Sequence, residues 1–210
     1  MLYQDSTNNI ACLDACVSKR AGRAPNHGAR LPPLAQSAKF SMRPYIKRQY
    51  HSMRKRGDEQ MKISELLTPA LIKLDLASLD KDELFEEMVQ IFVATGQISD
   101  RAAAVRILQE REAKMSTGVG NGIGIPHGKL PEAKESLLAL GISRQGIDYD
   151  ALDGEPVHIV LVIFAQPDNP GQHIELLAEI SRLFGVPGFS DRILAASTPQ
   201  EVLDIIKSEE

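Results

Sequence analysis

The chain has 210 residues, 43% of them hydrophobic and 25% charged, a composition ordinary for a soluble globular protein with one core. No run of eighteen apolar residues is present to span a membrane, and no basic start followed by an apolar block marks a secretory leader. The formal charge of −4 is unevenly placed: residues 1–60 carry 11 Lys/Arg against 4 Asp/Glu, and residues 61–210 carry 13 against 24. A boundary near residue 60 follows. The acidic body argues against nucleic acid as partner, because phosphate backbones repel it.

Residues 1–60 show no sustained period of 2 or 3.6. Pro25, Pro32, Pro33 and Pro44 are scattered among Gly, Ser, Asn and Arg, and such a stretch buries too little apolar surface to offset its ordering entropy. It reads as a basic, disordered N-terminal extension. Nucleic-acid or acidic-lipid binding, a transit peptide, and a translation start at Met61 remain as alternatives. Cys12 and Cys16 are the only cysteines. They lack a second pair at zinc-finger spacing, and a cysteine-free body suits a cytoplasmic setting. His27 and His51 lie in this stretch and suggest no chemistry.

From Met61 the pattern is regular. Thr68-Pro69 reads as the cap and first residue of a short helical turn. Ile72, Leu74 and Leu76 alternate with polar residues and predict a half-buried strand. Asp80 and Glu83 form a capping-box pattern before a helix with a buried stripe of Leu84, Phe85, Met88, Val89 and Phe92, ended by Gly96. Ser99 is placed to cap a second helix, with Ala104, Ile107 and Leu108 inward. Residues 118–128 form a glycine-dense loop, and residues 136–143 a strand. Asp153-Gly154 marks a turn before Val157–Ala165, whose nearly continuous apolar run predicts a central strand covered on both faces. After a loop at 167–171, residues 173–184 read as a helix with Ile174, Leu177, Ile180 and Phe184 inward. Ser190 and Thr198-Pro199 then open two more helices, the last packing Val202, Leu203, Ile205 and Ile206. This mixed order predicts the α/β class, a mixed β-sheet flanked by helices on both faces.

The glycines at 118, 120, 122 and 124 alternate strictly. That alternation fails the dinucleotide fingerprint and the kinase glycine loop. Gly128-Lys129 is followed by Leu130, which fails the P-loop. The unusual feature is Ile125-Pro126-His127-Gly128: proline stiffens the backbone beside a histidine flanked by small residues. A neutral imidazole keeps a lone pair for attack on phosphorus, and a neighbouring arginine favours the neutral form. The phosphorylated state then needs cations or N–H groups around roughly two negative charges.

Arg111-Glu112, Ser116-Thr117-Gly118, Gly120-Asn121-Gly122-Ile123 and Ile125-Pro126-His127 together resemble the signature of type-2 enzyme IIA domains of the bacterial sugar phosphotransferase system, the fructose, mannitol and nitrogen-regulatory group. The later blocks Leu152-Asp153-Gly154-Glu155-Pro156-Val157 and Gly171-Gln172-His173-Ile174 follow in order, and the resemblance covers about residues 61–206. It implies a mixed sheet flanked by helices. It implies a relay that takes phosphate from phospho-HPr and passes it to an enzyme IIB, in sugar uptake of the fructose or mannitol class. By residue match His127 is the phosphate acceptor through Nε2, His173 the orienting or stabilising histidine, and Arg111 the residue facing the phosphate. Neither cofactor nor metal is implied. Met115 departs from the family pattern, where a small residue is usual, and so does Gly124, where Ala or Val is usual.

Ser116 and Thr117 are placed either to donate to phosphate or to cap the turn, and His158 reads as a satisfied histidine in the central strand. One rival function is a stand-alone nitrogen-type enzyme IIA that controls a target protein through its phosphorylation state. Another is a metal-dependent hydrolase using His127, His173 and Glu175, for which no local ligand pattern such as H-E-x-x-H exists.

Overall fold

The computed structural model describes residues 62–167 and 169–210. The basic extension, its two cysteines, His27, His51 and Met61 lie outside the described residues. Helix α1 (Ile63–Leu66) and a 3-10 turn (Pro69–Leu71) lead into β1 (Ile72–Lys73). Thr68 occupies the cap position, although its side chain makes no cap bond. The strand expected through Leu76 ends at Lys73, because Asp75 turns the backbone with a φ of 58°; Leu76 then donates its N–H to Ile142 O at 2.8 Å.

Helix α2 (Lys81–Ala94) buries the expected stripe of Leu84, Phe85, Met88, Val89 and Phe92. Asp80 Oδ1 accepts the Glu83 N–H at 2.9 Å, while the Glu83 carboxylate accepts from Leu79 N, one residue before the position of a simple capping box. Gly96, with φ of 74°, follows the last turn. Replacing Asp80 with Ala should lower stability by about 1 kcal/mol, read from chemical denaturation. An unchanged midpoint would show that this cap carries nothing.

Helix α3 (Arg101–Glu112) is capped by Asp100, which accepts from Ala103 N at 2.9 Å, and not by Ser99. The Ser99 hydroxyl is already engaged with Glu132 at 2.5 Å. Ala104, Val105 and Leu108 are buried, whereas Ile107 is only partly so and lies over Gly128.

The glycine-dense segment is not a plain loop. It holds three short strands, β2 (Gly118–Gly120), β3 (Ile123–Gly124) and β4 (His127–Lys129). They are followed by β5 (Leu137–Ile147) and β6 (Val157–Ala165). Among the described residues the strands form one mixed sheet in the order β1-β5-β6-β3-β2, with β4 also pairing β6. Strands β3 and β4 run parallel to β6 in one lane, at Ile159–Val160 and at Ile163, Phe164 and Ala165 respectively. Between them Ile125 donates its N–H to Thr117 O at 3.0 Å, and Pro126, with no N–H to give, only accepts from Ile163 N at 3.0 Å, so the regular ladder is interrupted there.

Strand β6 is central and buried on both faces, as its apolar run predicts. Phe164 meets Phe92 of α2 edge-on, and Gly128, its register partner, lies under Ile107 of α3, so α2 and α3 cover one face. The other face is covered by α4 (Pro170–Leu183), α5 (Phe189–Ala195) and α6 (Pro199–Glu209).

Helix α4 starts three residues earlier than the pattern indicates, because Asn169 caps it by accepting from Gln172 N. Leu176, Ile180 and Leu183 are then the buried stripe, Leu177 and Phe184 are partly buried, and Ile174 is 44% exposed, not inward. Helix α5 begins after Gly188, whose φ is 75°, and not after Ser190. Helix α6 is capped by Thr198, which accepts from Glu201 N at 3.2 Å; it buries Val202, Leu203 and Ile206, with Ile205 partly covered.

Candidate active site

His127 begins β4, directly after the break at Pro126, and is half-buried. Its register partner is Ile163, so its side chain lies on the sheet face that α4 covers. There its ring stands 5.2 Å, centroid to centroid, from that of His173, with the planes at 43°. Arg111 comes from the last turn of α3 and completes the group. The structure brings together all three residues singled out from the sequence.

The hydrogen bonds define the state of the His127 ring. Nδ1 lies 2.8 Å from the carbonyl oxygen of Ile125, which can only accept, so Nδ1 carries the proton. Nε2 in turn accepts from Arg111 Nε at 3.2 Å and therefore keeps a lone pair. The ring is neutral, with its lone pair at Nε2. Arg111 is itself steadied by donation from Nη1 to Met115 O at 3.0 Å. Because that acceptor is a main-chain carbonyl, a methionine at 115 leaves the contact intact. The other departure, Gly124, is buried: a Cβ there would stand 3.2 Å from Val157 Cγ1 and 3.5 Å from the Tyr149 ring.

Electrostatics favour the same state. Burial holds the His127 pKa below the usual histidine value, and the Arg111 charge adds to the effect, against an upward pull from the Ile125 carbonyl and from Glu112. Burial also lowers His173, to about 4, helped by His127, Lys129 and Arg111. His173 Nδ1 is buried without a hydrogen-bond partner. A histidine whose pKa falls from 6.5 unfolded to about 4 folded binds fewer protons in the native state across that window. Its contribution to stability is complete above about 6.5 and is lost as pH falls toward 4. The melting temperature should therefore decline on acidification through this range, and His173→Gln should flatten the decline. A profile that His173→Gln leaves unchanged would contradict the assignment.

Thr117 is buried, and its hydroxyl is engaged by Glu112 and Tyr149. Ser116 Oγ accepts from Gly118 N at 3.2 Å, so in this structure both hydroxyls serve the turn. His158 is a satisfied strand histidine, its Nδ1 bonded to Ser143 O at 2.9 Å. Among the described residues no three His, Cys, Asp or Glu side chains are grouped to hold a metal ion. Two features of the site escaped the sequence reading. Asp153 clamps the β2–β3 turn by accepting from Asn121 N at 2.8 Å, and Glu112 is a buried carboxylate behind it. The Leu152-Asp153-Gly154 block hinted at the first. No pattern in the chain indicated that Tyr149 would reach Thr117.

Fold and site together define a mixed-sheet α/β domain in which a neutral imidazole stands beside an arginine and a second histidine. The family model described as "Phosphoenolpyruvate-dependent sugar phosphotransferase system, EIIA 2" matches residues 65–209, and the chain belongs to that family. It is a phosphotransferase-system relay component.

The fructose-specific EIIABC component of Bacillus subtilis (strain 168) is 38% identical over 146 residues, which cover 70% of this chain and 23% of that longer protein. The fructose-specific EIIA component of Haloferax volcanii is 33% identical over 144 residues, 69% of this chain and 94% of that one. The crystal structure of the nitrogen regulatory protein IIA-Ntr from Neisseria meningitidis superposes with a TM-score of 0.65 at 29% identity, covering 69% of this chain and 98% of that one. Among the described residues no helix is long and apolar enough to cross a membrane.

Proposed function

We propose that residues 61–210 form the relay domain and that His127 accepts a phosphoryl group on Nε2 from the phosphohistidine of HPr, then delivers it to an enzyme IIB of the fructose or mannitol class. The observation that carries this reading is the Nδ1–H bond to Ile125 O, which leaves the Nε2 lone pair available beside Arg111. On approach of the donor, Arg111 Nε gives up Nε2, and the guanidinium, still held at Met115 O, pairs with the incoming phosphoryl oxygens. The Nδ1–H bond to Ile125 stabilises the positive charge that grows on the ring as the N–P bond forms. His173, weakly basic and with a free Nδ1, offers a second nitrogen from the side without competing as a strong acceptor.

Purified chain incubated with phosphoenolpyruvate, enzyme I and HPr should gain one acid-labile, base-stable phosphate. ATP alone should add none, since no nucleotide motif is present. Labelling from ATP without other proteins would overturn the relay assignment.

A nitrogen-type regulatory role is the second reading, supported by the likeness to IIA-Ntr. Under the sugar reading, phosphate moves rapidly from the chain to a fructose-type enzyme IIB. Under the regulatory one it stays on the chain, and a target protein distinguishes the two phosphorylation states. A transfer assay with purified enzyme IIB separates them.

A further inference from the structure

One ring nitrogen of His127, Nδ1, is held through a hydrogen-bonded chain that starts at a buried carboxylate, Glu112, and the other, Nε2, by the residue next to Glu112 in sequence. Glu112 is only 8% exposed and ends α3. Its carboxylate accepts from Lys81 Nζ at 3.1 Å, from Thr117 N at 3.0 and 3.2 Å, and from the Thr117 hydroxyl. The Tyr149 hydroxyl completes the cluster 2.8 Å from Thr117 Oγ1. Burial and the nearby Glu112 charge raise the Tyr149 pKa, so the phenol keeps its proton. The donors then run one way, from Tyr149 to Thr117 to Glu112, with every hydroxyl used.

One arm reaches the imidazole from this cluster, and a second from the neighbour of Glu112 in the chain. In the first, Thr117 O accepts from Ile125 N at 3.0 Å, and Ile125 O accepts from His127 Nδ1 at 2.8 Å. In the second, Arg111, the residue before Glu112, donates to Nε2 at 3.2 Å and to Met115 O at 3.0 Å. The segment from 111 to 127 is thus closed into a ring whose fixed point is the Glu112 carboxylate, itself tied by Lys81 to the first turn of α2.

We propose that Glu112 is a positioning residue for the phosphoryl transfer assigned above to His127, holding the imidazole in its Nδ1–H form with Nε2 presented beside Arg111. The proposal rests on that assignment. Glu112 touches neither donor nor acceptor phosphate and acts through Thr117, Ile125 and Arg111. A hydrogen-bonded charge of this kind suits the task because a buried carboxylate released from its partners is costly, which keeps the ring shut during each turnover.

The test uses the full chain carrying Glu112→Gln, which keeps the size and one carbonyl acceptor but presents an amide donor to Lys81 and Thr117. The maximal rate of phosphate uptake from phospho-HPr should fall about tenfold or more, as expected when a reacting atom is held less closely. The KM for phospho-HPr should be unchanged, because the exposed surface is untouched. Nitrogen-15 NMR of the His127 ring, recorded without any phosphate donor, should show the Nδ1–H form replaced by a mixture of tautomers.

Should Glu112→Gln fail to fold, Thr117→Val gives the same readouts, and Thr117→Ser should restore both rate and tautomer. A folded variant with the parent's rate and the parent's tautomer would overturn the proposal, as would a loss of rate explained wholly by a raised KM. Failure of the unaltered chain to take phosphate on His127 would instead sink the relay reading, and the tautomer measurement would still report on the ring.

Discussion

Replacing His127 with Ala is expected to abolish phosphate incorporation from phospho-HPr altogether, because the one other imidazole of the site, His173, is held weakly basic and His127 alone pairs its lone pair with Arg111. Replacing His173 with Ala leaves that acceptor in place. Loss of one hydrogen bond to a charged group, about 1.5–3 kcal/mol, should slow transfer by roughly ten- to a hundredfold. Mass spectrometry under non-acidic conditions locates the modified peptide. Phosphate on His173 with His127 unmodified would exchange the two roles. The 5.2 Å between the rings makes the result informative, since both histidines are close enough for either to be reached.

The largest effect on stability is expected at Gly118. A Cβ on this residue would lie 2.7 Å from Ala151 Cβ, 2.8 Å from Ala151 Cα and 2.9 Å from the Tyr149 ring. Neither a backbone carbon nor an alanine methyl can rotate aside, so the β2 strand must shift bodily. Gly118→Ala should cost about 3 kcal/mol, near the upper end for overpacking. Gly154→Ala serves as control: nothing lies within 4 Å of its Cβ position, and only the positive φ of 75° is strained, at roughly 1–2 kcal/mol. If the two variants unfold at the same denaturant concentration, crowding at Ala151 is not what requires glycine at 118. Because Gly118 follows Thr117, a folded Gly118→Ala chain should also lose transfer rate.

Elements with strong periodicity were legible in the chain itself. The stripe of α2, the Thr198 cap and the buried β6 run each follow from spacing and residue type, and each is found where it was expected. Where two residues compete for one local role, spacing alone misleads. Ser99 and Asp100 are both good caps, and only the distant Glu132 determines which of them is free. In the same way Asn169 begins α4 early and turns Ile174 out to solvent, a rotation of the helix face that a three-residue error in its start conceals. The strands of the glycine segment are two or three residues long, too short to show alternation. β3 and β4 exist because β6 offers them a hydrogen-bonding edge, and β2 because β3 does. His127 stood out through its glycines and its proline. Glu112, Lys81 and Tyr149 did not, since their association spans 68 positions of sequence and depends on where α2 and the Tyr149 segment meet.

The lowered proton affinity of His127 also bears on the stability of the phosphorylated form. Proton and phosphoryl group compete for the same lone pair but differ in charge, so a neighbour that repels the proton can favour the phosphoryl group. Under the proposed relay, burial makes the imidazole a better leaving group than a free histidine, whereas the Arg111 charge, which repels a proton, attracts the phosphoryl oxygens and holds them in place. The Ile125 carbonyl and Glu112 raise the ring's basicity and so strengthen it as a nucleophile. Under the proposed relay, the balance among these neighbours sets how readily the phosphate is passed along.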